Sequence, residues 1–113
     1  MEYLYQINPL LTDEKPIILY GIGVTEKKLF YALLQQNVYV TAFCLKENQT
    51  TSLKRLFNKR VISLQELKER YADAWVIVAG ETAVADGQVL KNAGIENIVI
   101  ENITLKDKGV LLP

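Results

Sequence analysis

The 113-residue chain contains no histidine, one cysteine, three prolines and six glycines, and its thirteen basic residues balance its thirteen acidic ones. Without histidine there is no usual general base, no commonest metal ligand and no Ser-His or Cys-His nucleophile pair. A single cysteine, Cys44, excludes an internal disulfide and a Cys-rich zinc site. Zero net charge supplies no global field to recruit a polyanion, so nucleic acid is not an expected partner. No apolar run approaches the eighteen or so residues of a membrane span. The opening "MEYLYQINPLLTDEKP" lacks a basic region followed by a long apolar one, so the expected location is cytoplasmic.

What is present is the make-up of one globular domain: half the residues are hydrophobic and 23% are charged. The division read from the pattern is an apolar N-terminal segment over 1–15, a domain over 16–102, and a C-terminal tail or truncated linker over 103–113. "IILY", closed by Gly21, is too short and too uniformly apolar for a helix and predicts a buried strand. Thr25 is a candidate cap for a helix in which Leu29, Phe30, Ala32, Leu33 and Leu34 recur at helical spacing. Asn37, tolerant of the left-handed conformation, ends it, and "VYVTAF" predicts the second strand. Residues 45–59 read as surface loop with a hint of an amphipathic turn.

In "RVISLQELKERY", Val61 and Ile62 predict a short strand, Ser63 a helix cap with Glu66 as capping-box partner, and Leu64, Leu67 and Tyr71 a shared apolar face. "AWVIVAG" predicts another buried strand, "ETAVADGQVLKNAG" a helix stopped at Gly94, and "ENIVIEN" the last strand. Strand, glycine, helix, left-handed stop and strand thus occur twice. Such alternation requires parallel strands joined by helical crossovers. The expected fold is α/β, a Rossmann-like three-layer sandwich with a five-stranded parallel sheet in order 3-2-1-4-5, its first and fourth strands ending at a switch point beside Gly21 and Gly80.

"ILYGIGVTEKKLF" carries the main functional signal. In a dinucleotide turn the first glycine permits the bend, the second lets phosphate approach the backbone, and the third lets helix and strand pack closely. Gly21 and Gly23 fill two of these places, with Ile22, Val24 and Thr25 around them, and Glu26 stands at the third. A carboxylate there gains about 0.3–1 kcal/mol from the helix dipole. Facing a phosphate 5 Å away it would be repelled by about 3 kcal/mol at an effective dielectric of 20. Two readings stay open: a phosphate turn with Lys27 or Lys28 folded over it, or a plain strand-to-helix turn.

An acid about twenty residues on would grip an NAD ribose, but "TAFCLKEN" places Cys44, Leu45 and Lys46 at the strand end. Lys46 is either an anion contact or a solvated loop charge. Cys44 reads as a packed small residue, because no histidine can activate it. Across the crevice, Gly80 precedes Thr82, a helix cap or a ligand donor. Asp86 and Glu81, five apart, do not share a helical face. Tyr20 is expected in the core with its hydroxyl at an edge, and Trp75 packed beneath a helix. The candidate binding set is Gly21, Ile22, Gly23, Val24, Thr25, Lys27, Cys44, Lys46, Gly80 and Thr82; no catalytic or metal-ligating residue emerges.

The order of "GIG", helix, "VTAF", loop, "VISLQELKERYADAWVIVAG" and "GIENIVI" over about Pro16 to Asn102 resembles the small Rossmann-like domains attached to bacterial sugar-modifying enzymes. The nearest likeness is to the N-terminal nucleotide-sugar-binding domain of sugar acetyltransferases that carry a left-handed β-helix, with relatives fused to polysaccharide-biosynthesis proteins and methyltransferases. This resemblance implies a sugar nucleotide near Gly21 and Gly23; no acetyltransferase repeat follows Asn102, so the family's catalytic part is either cut from a longer protein or never present. Val24, Thr25 and Glu26 depart from the family's usual glycine and histidine, as Cys44, Leu45 and Lys46 do from its acidic run. Three functions remain: a non-catalytic nucleotide or nucleotide-sugar-binding domain of surface-polysaccharide biosynthesis, a degenerate scaffold for homodimerisation or partner docking, and an NAD(P)-linked redox or sensor domain.

Overall fold

The computed structural model describes residues 15–101, together with the backbones of Tyr3–Leu4 (β1) and Lys106–Asp107 (β8). The elements between them are β2 (Ile17–Tyr20), α1 (Val24–Gln35), β3 (Ala42–Cys44), β4 (Arg55–Leu56), β5 (Lys59–Ile62), α2 (Leu64–Arg70), β6 (Trp75–Ala79), α3 (Ala83–Asn92) and β7 (Ile98–Glu101). They form a mixed α/β fold around one six-stranded, mostly parallel sheet in the order β4-β5-β3-β2-β6-β7. β1 and β8 make a separate antiparallel pair, and β1 lies beside α1. Among the described residues no helix is long and apolar enough to cross a membrane. The apolar side chains of 1–14 and the segment Val110–Leu112 lie outside the described residues.

The sheet departs from the expected five strands in order 3-2-1-4-5 in count and in order. The difference is β4, which pairs antiparallel with β5 at the sheet edge, inside a stretch expected to be loop. Phe57 and Asn58, both at positive φ, make the two-residue turn between them. Paired left-handed residues give a turn whose twist matches that of the strands it joins. Asparagine is common there, but phenylalanine is not, so the composition of "LFNK" conceals the hairpin. Phe57 is held by its ring, stacked 5.0 Å from Phe30 and edge-on 5.2 Å from Tyr31, both on α1. The second strand is also shorter than "VYVTAF" suggests: pairing with β2 begins only at Ala42.

That late start follows from how α1 ends. Asn37 takes φ 61°, and the amides of Asn37 and Val38 donate to the carbonyls of Leu34 and Leu33. This is a Schellman closure, which spends Val38 on the helix stop instead of the strand. Gly94 and Ile95 close α3 in the same way on Lys91 and Leu90.

Packing is two-sided. Ile18, Tyr20, Val76 and Val78 face α2 and α3, meeting Leu67 and Leu90; Ile17, Leu19 and Ile77 face α1, meeting Leu29, Phe30 and Leu33. Central strands buried on both faces read as unbroken apolar runs, and each fully buried side chain of this size contributes about 1.5–3 kcal/mol. Ser63 caps α2 as expected, accepting from the Glu66 amide at 3.1 Å. The Glu66 carboxylate, however, turns to Arg60 instead of closing the box. Trp75 is half-buried on the α1 side, with the Lys15 ammonium 4.8 Å from its ring centre.

Candidate functional site

β2 and β6 are adjacent and parallel, so their C-terminal ends, Tyr20 and Ala79, open onto the same rim. Gly21 leaves β2 at φ +122° and Gly80 leaves β6 at φ +86°, conformations that side chains with a Cβ rarely adopt. A Cβ at Gly80 would stand 3.3 Å from Thr25 Cγ2, so the start of α1 rests directly on the second glycine turn. The expected residues Gly21, Gly23, Thr25, Lys46, Gly80 and Thr82 do meet at this rim. Val24 instead points to solvent, and Lys27 lies with Ile22, Thr51, Leu53, Leu56 and Val61 around a separate cavity of about 60 Å³. Ligand pockets commonly span about 300–1,000 Å³.

Every amide of the Gly-Ile-Gly turn is engaged from within the chain. The Gly21 amide donates to the Cys44 carbonyl at 2.6 Å, the Ile22 amide to Gln49 Oε1 at 3.3 Å, and the Gly23 amide to Glu26 Oε1 at 2.8 Å. Gln49 Oε1 also accepts from the Lys46 amide at 3.1 Å, tying the loop after β3 to the turn after β2. Gly23, not Thr25, is the N-cap of α1. It has no side chain to offer, so the cap consists of the Glu26 carboxylate reaching back one turn.

Glu26, the departure from the glycine pattern, turns inward and is 4% exposed. Its carboxylate occupies the space a Cβ on Gly21 would need, with the Lys46 stem on the other side. Burial raises its pKa, opposed by the Gly23 amide and by Lys46, while Asp86 adds to the rise. The group is thus a carboxyl set into the turn by its own helix.

Lys46 is not a solvated loop charge. Its ammonium is 2.8 Å from Asp86 Oδ2 and 3.3 Å from Thr82 Oγ1, and both ionic side chains are 16% exposed. Thr82 sits at the N-cap of α3 but makes no side-chain capping bond; its hydroxyl donates to Asp86 Oδ2 at 2.8 Å. Asp86 therefore pairs across the crevice and not with Glu81. Sequence spacing missed Glu26, Gln49 and Asp86 as members of this cluster. The signal within reach was Glu26 three residues beyond Gly23, the spacing of a capping acid.

Cys44 is buried and its thiol is pushed up to about 12 by desolvation. Thiolate chemistry at neutral pH is closed to it. The Tyr20 hydroxyl is likewise raised to about 12, first by burial and then by Cys44, Asp86 and Glu47 nearby.

No family model, curated protein or solved structure matches the chain. What these side chains form is a glycine turn filled by a carboxylate, roofed by a lysine and held to the opposite helix by an ion pair.

Proposed function

We propose that this chain is a non-catalytic, Rossmann-like docking domain whose phosphate crevice is filled by its own side chains. One observation carries the reading: three consecutive turn amides, the donors that an incoming phosphate would need, are taken by Cys44, Gln49 and Glu26. A phosphate entering the turn must displace two side chains and then face the Glu26 charge. The test is a thermal-shift panel of NAD, NADP, UDP-sugars, CDP-alditols and CoA at millimolar concentration. A ligand at 100 times its dissociation constant adds about 2.7 kcal/mol of stability. No shift is expected, and a clear saturable shift with any of them overturns the reading.

A second reading, nucleotide-sugar binding in cytoplasmic surface-polysaccharide synthesis beside an attached catalytic domain, is favoured by the position of the filling anion. The turn already holds a carboxylate against Gly23 with Lys46 beside it, as it would hold a phosphate. On this reading Glu26→Gln raises UDP-sugar affinity by tenfold or more. Equal, undetectable binding by both proteins removes it. The NAD(P)-linked alternative draws no support from the end of β3, where Cys44 is buried and Lys46 is engaged with Asp86.

A further inference from the structure

The zero net charge hides a division along the sheet. Leaving aside the Lys46–Asp86 pair at the rim and the buried Glu101, residues 45–70 hold six basic and three acidic side chains, whereas 71–101 hold one basic and three acidic. The strand order sends these two stretches to opposite edges: β4, β5 and α2 to one flank, β6, α3 and β7 to the other. With strands about 4.8 Å apart, the outer strands of a six-stranded sheet lie roughly 24 Å from one another. That distance exceeds the ~8 Å screening length at physiological salt, so the flanks act as two separate patches of opposite sign.

Each patch also carries exposed apolar side chains. On the basic flank Leu53 and Phe57 are exposed beside Lys54 and Arg55, and Phe57 meets Tyr31, itself exposed on α1. On the acidic flank Val84 and Ile100 are exposed, with Glu81 and Glu96 also at the surface. Gly87, one turn after Val84 on α3, is buried against Ile100, where a Cβ would stand 3.4 Å from Ile100 Cδ1, so the Ile100 side chain rests directly on the helix. Opposite charge around apolar centres is what steers and fixes a protein contact.

We propose that copies of this chain associate head to tail, the basic β4–β5 flank of one seated on the acidic α3–β7 flank of the next. The contact is heterologous, joining two different surfaces, so it propagates or closes into a ring. The inference names the partner for the docking domain described above and rests on that reading. It remains separable, because nucleotide titration reports on the crevice and molecular mass reports on the flanks.

The experiment is sedimentation velocity with light scattering on the full 113-residue chain, from micromolar to millimolar, in 25 and 500 mM NaCl. Mass is expected to rise with concentration in low salt, with association at least tenfold weaker in high salt. Lys54→Glu with Arg55→Glu leaves four basic against five acidic side chains on the first flank, and Glu81→Lys with Glu96→Lys leaves three basic against one acidic on the second, so each double exchange reverses the sign of one flank. Each double variant alone is expected to be monomeric, and an equimolar mixture of the two to associate. Circular dichroism and thermal melting of each variant confirm that it is folded, as expected for exchanges at the surface. A monomer at every concentration, association indifferent to salt, or folded variants that fail to recognise each other overturns the proposal. A monomer that also ignores nucleotides leaves the closed-crevice reading standing with a different partner.

Discussion

Replacing Glu26 separates its two contributions, an acceptor for a buried amide and a desolvated charge. Glu26→Gln keeps an oxygen where the Gly23 amide finds one at 2.8 Å and removes the charge. A hydrogen bond to a charged acceptor is worth about 1.5–3 kcal/mol and a neutral one about 0.5–1.5, so the exchange weakens that bond by about 1 kcal/mol. Relief of desolvation offsets this, and at pH 7 the glutamine variant is expected within about 1 kcal/mol of the parent. Glu26→Ala leaves the amide without its acceptor, a penalty of about 1–3 kcal/mol, or several degrees in melting temperature for a domain of this size.

The pH dependence carries the sharper signature. The folded carboxyl holds its proton more tightly than the ordinary value of 4.5, because burial disfavours the charged form. Its contribution to stability is therefore greatest below 4.5, declines as pH rises through the raised folded value, and is level beyond it. Lys46 and Asp86, the charged groups facing it, remain in the glutamine variant, so subtracting the two profiles isolates Glu26. Urea denaturation at half-unit steps from pH 4 to 8 measures both. Identical slopes for the parent and Glu26→Gln, or a glutamine variant more than 2 kcal/mol weaker at pH 7, would refute the argument that this carboxylate is a buried, self-supplied anion.

Further outcomes follow from the same cluster. Lys46→Met leaves Asp86 and Glu26 facing each other without their cation; a largely buried pair lies between the surface and interior limits, so a loss of about 1–3 kcal/mol is expected in urea denaturation. A loss below 0.5 kcal/mol contradicts the bridging role. Gly21→Ala must accommodate φ +122° and a Cβ driven into the Glu26 carboxylate, and is expected to lose at least about 2 kcal/mol or fail to accumulate as folded protein. Melting at the parental temperature would show that the turn is not held closed by Glu26. Cys44, buried with its thiol raised to about 12, is expected to resist a thiol reagent at pH 8 until the chain unfolds in urea. Rapid labelling of folded protein would show that the β3 end is open.

The parts of the fold written in local patterns were legible beforehand. "IILY" and "WVIVA" announce strands covered on both faces, and the stops at Asn37 and Gly94 carry the residues their left-handed geometry needs. The hairpin at Phe57 was hidden because an aromatic ring packing on α1 overrides what the turn would choose for itself. In the site, residues were readable one by one but not their engagements. Lys46 and Asp86 are forty positions apart, and nothing local says that one answers the other across the rim. Glu26 was visible as a departure from a glycine pattern; that it turns inward depends on the room which Gly21 leaves for it.

Gln49 joins two chain segments through one oxygen atom, which receives the amides of both Ile22 and Lys46. The turn and the loop are thereby a single moving part: rotating that side chain frees two protons at once. Hydrogen exchange at Ile22 and Lys46 should then run in step, and Gln49→Ala should speed both together, so that two distant positions in the sequence keep one clock.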